Sequence, residues 1–259
     1  MENERSILKL KEEIMKEGER EILDSFPVKA VEIHAMLKSK TFTLKEGEVL
    51  TNDWAECVSI PTPELSQTNG SVDGGESQAK KRRVSPSSVQ EEGQPPAGPL
   101  YVYKTRTPTI RAVLQCNGRI QAMTALLKPA LMTAQEKLNS IKLWITLNIP
   151  KVEDGNNFGV SVQEEVLGEV VKCEGDIVSY LDQVNRYFVT RAKMISKIAK
   201  YPLIEDYRQS VDEYDQKVFH NLRVIVQELR NTYLLTHDLV VKNIDKIRQP
   251  RSANMGALY

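Results

Sequence analysis

Residues 161–202 read SVQEEVLGEVVKCEGDIVSYLDQVNRYFVTRAKMISKIAKYP, and the spacing within them decides the fold. Val166, Val170, Cys173, Ile177, Leu181, Val184, Phe188 and Ile195 recur at three or four residues, or at a multiple of that step, which sets them on one face of a helix. Ser161-Val-Gln-Glu164 has the form of a capping box and predicts the helix start there. The ring of Pro202 disfavours helical backbone at the residue before it, so the helix is expected to stop at Lys200-Tyr201.

Three further segments carry the same signal. In the first, Leu10, Ile14, Ile22 and Phe26 share a face, and the pattern resumes after Pro27 with Val31, His34 and Leu37. Gly18 and Pro27 lower helix propensity, and a kink is expected near the proline. The second opens at Thr107-Pro108, is bent by Pro129 and closes at Pro150. Its later half carries Leu131, Ala134, Leu138, Ile141 and Ile145, a narrow apolar seam. The last starts at Pro202, has Glu205 and Asp206 where the helix dipole favours acids, and continues through Val211, Tyr214, Val218, Leu222, Ile225 and Leu229 towards Ile244 and Ile247. Pro250 ends it. Helices two to four would each run roughly 35–45 residues, on the order of 55–65 Å. Long helices with short connections imply an all-α, up-and-down four-helix bundle.

Composition divides the chain. Residues 1–59 supply helix one and 106–250 helices two to four; between them, 60–105 turns to Pro, Ser, Gly, Gln and charge, a flexible insert too poor in apolar residues to offset its ordering entropy. Residues 251–259 form a tail. Lys plus Arg and Asp plus Glu each number 35, so the net charge is zero, which argues against general nucleic-acid binding. The charged start, MENERSILKLKEEI, lacks the apolar core of a secretory signal, and no stretch approaches the length of a membrane helix. Cys57, Cys116 and Cys173 are isolated thiols, suited to a reducing compartment, where the Asn69-Gly70-Ser71 sequon would stay unmodified. The expectation is a soluble intracellular protein.

Catalysis has no foothold. The phosphate, dinucleotide, zinc-protease and nucleophile-elbow motifs are absent. His34, His220 and His237 stand alone on helices without a ligand pattern, and pairs such as Glu91-Glu92 and Glu164-Glu165 read as solvated charge. Neither metal nor cofactor is expected. Three other features carry possible function. Lys80-Lys81-Arg82-Arg83, inside the insert, can enter acidic grooves of a nuclear import receptor; Ser85-Pro86 follows, where a phosphate would partly cancel the charge. Pro150-Lys-Val-Glu-Asp-Gly-Asn-Asn-Phe-Gly159 joins two helices and is rich in turn formers. Leu258-Tyr259 ends the chain with a carboxylate that a basic pocket can capture.

These features occur together, in this order, in one family. The segments IPKVEDGNNFGVSVQEE, SYLDQVNRYFVTRAKMISKIAKYP and ELRNTYLLTHDLVVKNIDKIRQPRS with its ALY ending resemble the 11S (REG, or PA28) proteasome activators, in particular their gamma branch. The resemblance is strong over roughly residues 138–259, weaker in helix one and the first half of helix two, and poor in the insert beyond the Lys80–Arg83 cluster. It implies a homo-heptameric ring of four-helix subunits, seated on the alpha ring of the core (20S) proteasome and passing protein or peptide substrates through its channel without ATP or ubiquitin. It further implies that Glu153, Asp154, Gly155, Asn156, Asn157, Phe158 and Gly159 form the gate-opening activation loop, with Asn156 as key contact, and that Ala257, Leu258 and Tyr259 dock between alpha subunits. Lys193 becomes a candidate channel-facing charge, and the location implied is the nucleus with some cytoplasmic presence. The competing reading is a nuclear helical scaffold that has no dealings with the proteasome.

Overall fold

The structure, a computed structural model, describes residues 2–48, 50, 52, 54, 115–152 and 157–250. The insert with its Lys80–Arg83 cluster, the Thr107-Pro108 start, loop residues Glu153–Asn156 and the tail 251–259 lie outside them. The first helical column comprises α1 (Glu2–Arg20), a π-helical turn (Glu21–Ser25) and α2 (Phe26–Lys38). Three long helices follow, α3 (Gly118–Asn148), α4 (Phe158–Lys200) and α5 (Glu205–Lys242), and then the short α6 (Ile244–Arg248). Among the described residues there is no strand. α1 packs along α3, α2 along α5, α3 along α4 and α4 along α5, so four antiparallel columns close into an up-and-down bundle.

Three local expectations are corrected. α3 has 31 residues, fewer than foreseen, because Asn117 takes an extended backbone (φ −62, ψ 107) and its side chain caps the helix, accepting from the N–H groups of Arg119 and Ile120. α4 starts at Phe158, one turn before the expected capping box; Ser161 is already helical, its N–H bonds the Asn157 carbonyl at 2.9 Å and its hydroxyl donates to the same oxygen at 3.2 Å. In α2 the buried face is Phe26, Ala30, Ile33 and Leu37, whereas Val31 and His34 are exposed. Packing follows the four-three-four spacing from Phe26 and accepts a small Ala30 in place of the bulkier Val31. Likewise on α4 the three-four alternation leads from Val184 to Tyr187 and leaves Phe188 38 % exposed.

The irregularity expected near Pro27 takes the form of the π turn just before it, closed by the Phe26 N–H donating to the Glu21 carbonyl. A proline ring collides with the carbonyl four residues back, and a widened turn at that place relieves the contact. Ile22 and Phe26 remain fully buried through it, and Phe26 meets Tyr233 of α5 edge to face at 4.8 Å. Beside them Glu21 pairs with Lys137 across the α1–α3 seam. Burial alone would raise the Glu21 carboxyl, but the hydrogen bond and charge of Lys137 outweigh it and hold it below its ordinary value.

The main core is one seam from Ile22 to Ile247 that includes the foreseen Leu131, Ala134, Leu138, Ile141 and Ile145, and Ile198 and Val211 form a smaller cluster apart from it. Each fully buried side chain of this size contributes about 1.5–3 kcal/mol. Gly18, a propensity cost in the sequence, has a packing reason. A Cβ built on it would press on the Trp144 Cβ and stand 2.6 Å from the Ser140 carbonyl oxygen, so α1 and α3 approach there as only glycine permits. Gly168 on α4 is exposed and a Cβ there meets nothing within 4 Å. Gly18→Ala is therefore expected to destabilise by about 1–3 kcal/mol, and Gly168→Ala to stabilise by about 0.5–1 kcal/mol. Urea unfolding at matched protein concentration checks both, and a neutral Gly18→Ala would contradict the close approach.

Candidate functional site

Asn157, Phe158 and Gly159 sit at the end of the bundle where α3 finishes, α4 begins and α6 finishes. Of the seven loop positions three are described: Asn157 is exposed, Phe158 is 72 % exposed and Gly159 is buried. Val152, on the other side of the loop, is fully exposed. Two apolar side chains thus bracket the loop and face outward, away from the core. Pro250, the last described residue before the C-terminal segment, follows α6, which is anchored by the fully buried Ile247 and by Arg248 Nε, which donates to Glu19 Oε1 of α1 at 2.6 Å.

Loop and tail spring from one joint. A Cβ on Gly159 would stand 2.6 Å from both the Cα and the carbonyl carbon of Pro250, so the first turn of α4 and the root of the tail touch backbone to backbone. One helical turn further on, Gln163 is fully buried, and its Nε2 donates to the Asn148 carbonyl at 3.0 Å and to the Ile247 carbonyl at 2.8 Å. Asn148 is the last residue of α3 and Ile247 lies in the last turn of α6, where carbonyls have no partner within the helix. A single amide therefore joins the residue from which the loop departs to the segment from which the tail departs.

The other end of the bundle holds a second polar joint. Asp215 of α5 is fully buried, and its carboxylate accepts from Tyr187 Oη at 2.8 Å, Arg191 Nε at 3.1 Å, Asn117 Nδ2 at 3.0 Å and Asn52 Nδ2 at 3.3 Å. Arg191 Nη2 donates to Asn52 Oδ1 at 2.9 Å and Nη1 to the Gln115 carbonyl at 3.2 Å. Asp212, one turn back, accepts from the Asn52 N–H at 3.1 Å and from Trp54 Nε1 at 3.0 Å. Burial and the carboxylate that it donates to push the Tyr187 phenol far above its usual range. Asn52 and Trp54 precede the insert and Gln115 and Asn117 follow it, so both its roots are tied here. Gln163 and Arg191 are separated by about 42 Å of α4, which puts the roots of the insert at the far end from the loop.

Lys193 is exposed near that far end and is not brought to the loop. His34 and His220 are exposed and His237 is half-buried; His34 Nδ1 stands 3.4 Å from Arg230 Nη1. Among the described residues no cluster of His, Cys, Asp or Glu could hold a metal ion, and no helix is long and apolar enough to cross a membrane. Burial raises the Cys173 thiol above its usual range. Sequence reasoning missed Gln163, Arg191 and Asp215, although the signal was present. Gln163, Val166, Val170, Cys173 and Ile177 alternate three and four, as do Val184, Tyr187 and Arg191, so a polar residue occupies an apolar stripe.

The chain matches two family profiles, "Proteasome activator PA28, C-terminal" over residues 113–257 and "Proteasome activator PA28, N-terminal" over residues 1–65. It belongs to the PA28 family of proteasome activators. The role of that family is regulatory and not catalytic. Proteasome activator complex subunit 3 of Homo sapiens and that of Mus musculus are each 38 % identical to the chain over 250 residues, covering 96 % of it and 93 % of the relative. The Gallus gallus protein of the same name is 38 % identical over 252 residues. Among solved structures, the 11S subunit of the Plasmodium falciparum proteasome, PA28, superposes with a TM-score of 0.67 at 24 % identity, over 97 % of this chain and 92 % of its own. The mutated P26 activator in complex with an archaeal 20S proteasome gives a TM-score of 0.51 at 14 % identity, over 56 % and 73 %. Both are likenesses of fold.

The insert-end joint is directly testable. Arg191→Met leaves a buried carboxylate without its cation and is expected to cost about 3–5 kcal/mol. Adding Asp215→Leu removes the stranded charge and should restore much of the loss. Chemical denaturation of the single and double variants checks this, and a double variant no better than Arg191→Met would reject the pairing.

Proposed function

We propose that this chain is a non-catalytic activator of the core (20S) proteasome, working as a homo-heptameric ring. Ala257, Leu258 and Tyr259 dock on the alpha ring; the loop Glu153–Gly159, with Asn156 as its main contact, opens the gate without ATP or ubiquitin. The observation that carries this reading is the shared joint. The described residues that lead into the loop and the tail lie side by side, with Gly159 against Pro250 and Gln163 bonded to the carbonyls of Asn148 and Ile247. A surface that must bind at one point and act at a neighbouring one needs that juxtaposition.

The energetics divide the labour. One tail is a weak ligand, but several on a rigid ring act at high effective concentration. A ligand shifts a two-state gate only through different affinity for its two states, and that selective contact is the task of the loop. Lys193, exposed on α4, is our candidate for a charge facing the substrate channel. Lys80, Lys81, Arg82 and Arg83 are assigned to a nuclear import receptor, so the protein would work in the nucleus with a cytoplasmic fraction. A fluorescent fusion with all four replaced by alanine should stay cytoplasmic, and undiminished nuclear accumulation would remove the assignment.

Hydrolysis of a fluorogenic peptide by purified core proteasome tests the activator reading. The full chain should stimulate it, and deletion of Ala257–Tyr259 should return the rate to basal. Asn156→Tyr should still assemble and bind while its stimulated rate falls roughly tenfold, within the usual range of coupling between sites. Absence of stimulation by a verified oligomeric preparation would favour a helical scaffold instead.

A further inference from the structure

We propose that Gln163 is a positioning residue, one that holds the root of the loop and the root of the docking tail in a single geometry so that tail binding places the loop against the gate. The inference rests on the activator reading above. Its basis is the chemistry of one side chain. Carbonyl oxygens from two different helix ends flank the same atom, at 3.0 and 2.8 Å, which requires that atom to be the amide nitrogen. Each of its two hydrogens is committed to one root. No other common side chain of this length and shape offers two donors from one neutral atom.

The second observation is what the amide lacks. Among the described residues, Gln163 Oε1 is buried without a hydrogen-bond partner. An apolar residue in the stripe would avoid that unpaired oxygen but take the donor away from the Asn148 and Ile247 helix-end carbonyls, so the glutamine is there for the two carbonyls that it joins. What only the amide supplies is the bridge. Gly159 lies one turn before Gln163 on the same face of α4, where its bare Cα admits the Pro250 backbone. The tail root is thereby gripped twice by α4, through a glycine contact and through a hydrogen bond, and the second grip extends to the loop root at Asn148. A displacement of the docked tail then moves the loop with it.

Two variants separate positioning from folding. Gln163→Met keeps length and volume and removes the bridge. Its ring should assemble, and its half-maximal activator concentration should stay within about twofold of wild type while maximal stimulation falls about fivefold. Amide hydrogen exchange should quicken in peptides spanning 145–152 and 244–250 but not around Asp215. Gln163→Glu places an acceptor-only carboxylate against two carbonyls, whereas its protonated form regains one donor. Relative to wild type, its stimulation should recover between about pH 8 and about pH 6, and that of Gln163→Met should not. The titration uses one assembled preparation, so it decides even where the Met variant fails to assemble. Wild-type maximal stimulation and exchange in Gln163→Met, or a flat pH ratio in Gln163→Glu, would overturn the proposal. Lack of stimulation by wild type would instead overturn the activator reading, and the exchange contrast would still report on the joint.

Discussion

The buried carboxylate of Asp215 is the interaction on which the placement of the helices most depends. Apolar seams are non-directional: a helix with a three-four stripe can slide by one repeat along its neighbour and lose little buried area. Asp215 on α5 removes that freedom, because it accepts at once from Tyr187 and Arg191 on α4, from Asn117 at the start of α3 and from Asn52 beyond α2. A slip of one repeat would strand a charge in the core. Registry is the best-attested use of a buried ionic group, and here one carboxylate sets it for four parts of the chain together.

Registry fixed at one end must be delivered to the other. Between Arg191 and Gln163 the interior of α4 is lined by Tyr187, Val184, Ile177, Val170 and Val166, all buried and packed in the core seam. Interiors at this density transmit position because they hold few gaps into which a helix could relax. At the loop end the amide of Gln163 completes the frame by joining α3, α4 and α6. The bundle is thus an apolar rod with one polar joint at each end. One joint ties the roots of the insert and the other ties the roots of the loop and tail, so the two joints stand about 40 Å apart along α4.

Much of this was legible in the sequence. The sequence shows the type of α3, α4 and α5 and nearly the limits of α4 and α5, since helices of 31, 43 and 38 residues repeat their period many times and average out single deviations. Misreadings occurred where the signal is short or local. After Pro27 the apolar bulk of Val31 points to a face that the four-three-four spacing through Ala30 overrides, and the capping pattern at Ser161 lies inside a helix that has already begun. The start of α3 depends on the side chain of Asn117, which periodicity cannot report. The assignment of the loop and tail came from resemblance to a family, not from their physical chemistry, because turn formers and a terminal carboxylate suit many purposes.

The residues that sequence reading passed over share a property. Gln163, Arg191 and Asp215 each occupy a stripe position that an apolar residue would fill at lower desolvation cost. A polar residue there is informative because something must compensate it. At Asp215 the compensation is complete, with four side chains around one carboxylate, and the product is registry. At Gln163 it is incomplete, since the nitrogen is satisfied twice and the oxygen has no partner among the described residues. What the amide gives in return is a donor for two helix-end carbonyls and a fixed distance between them. The two carbonyls that the amide joins belong to the segments that would meet the proteasome, and their relative position is the property that an activator of this family has most reason to hold constant.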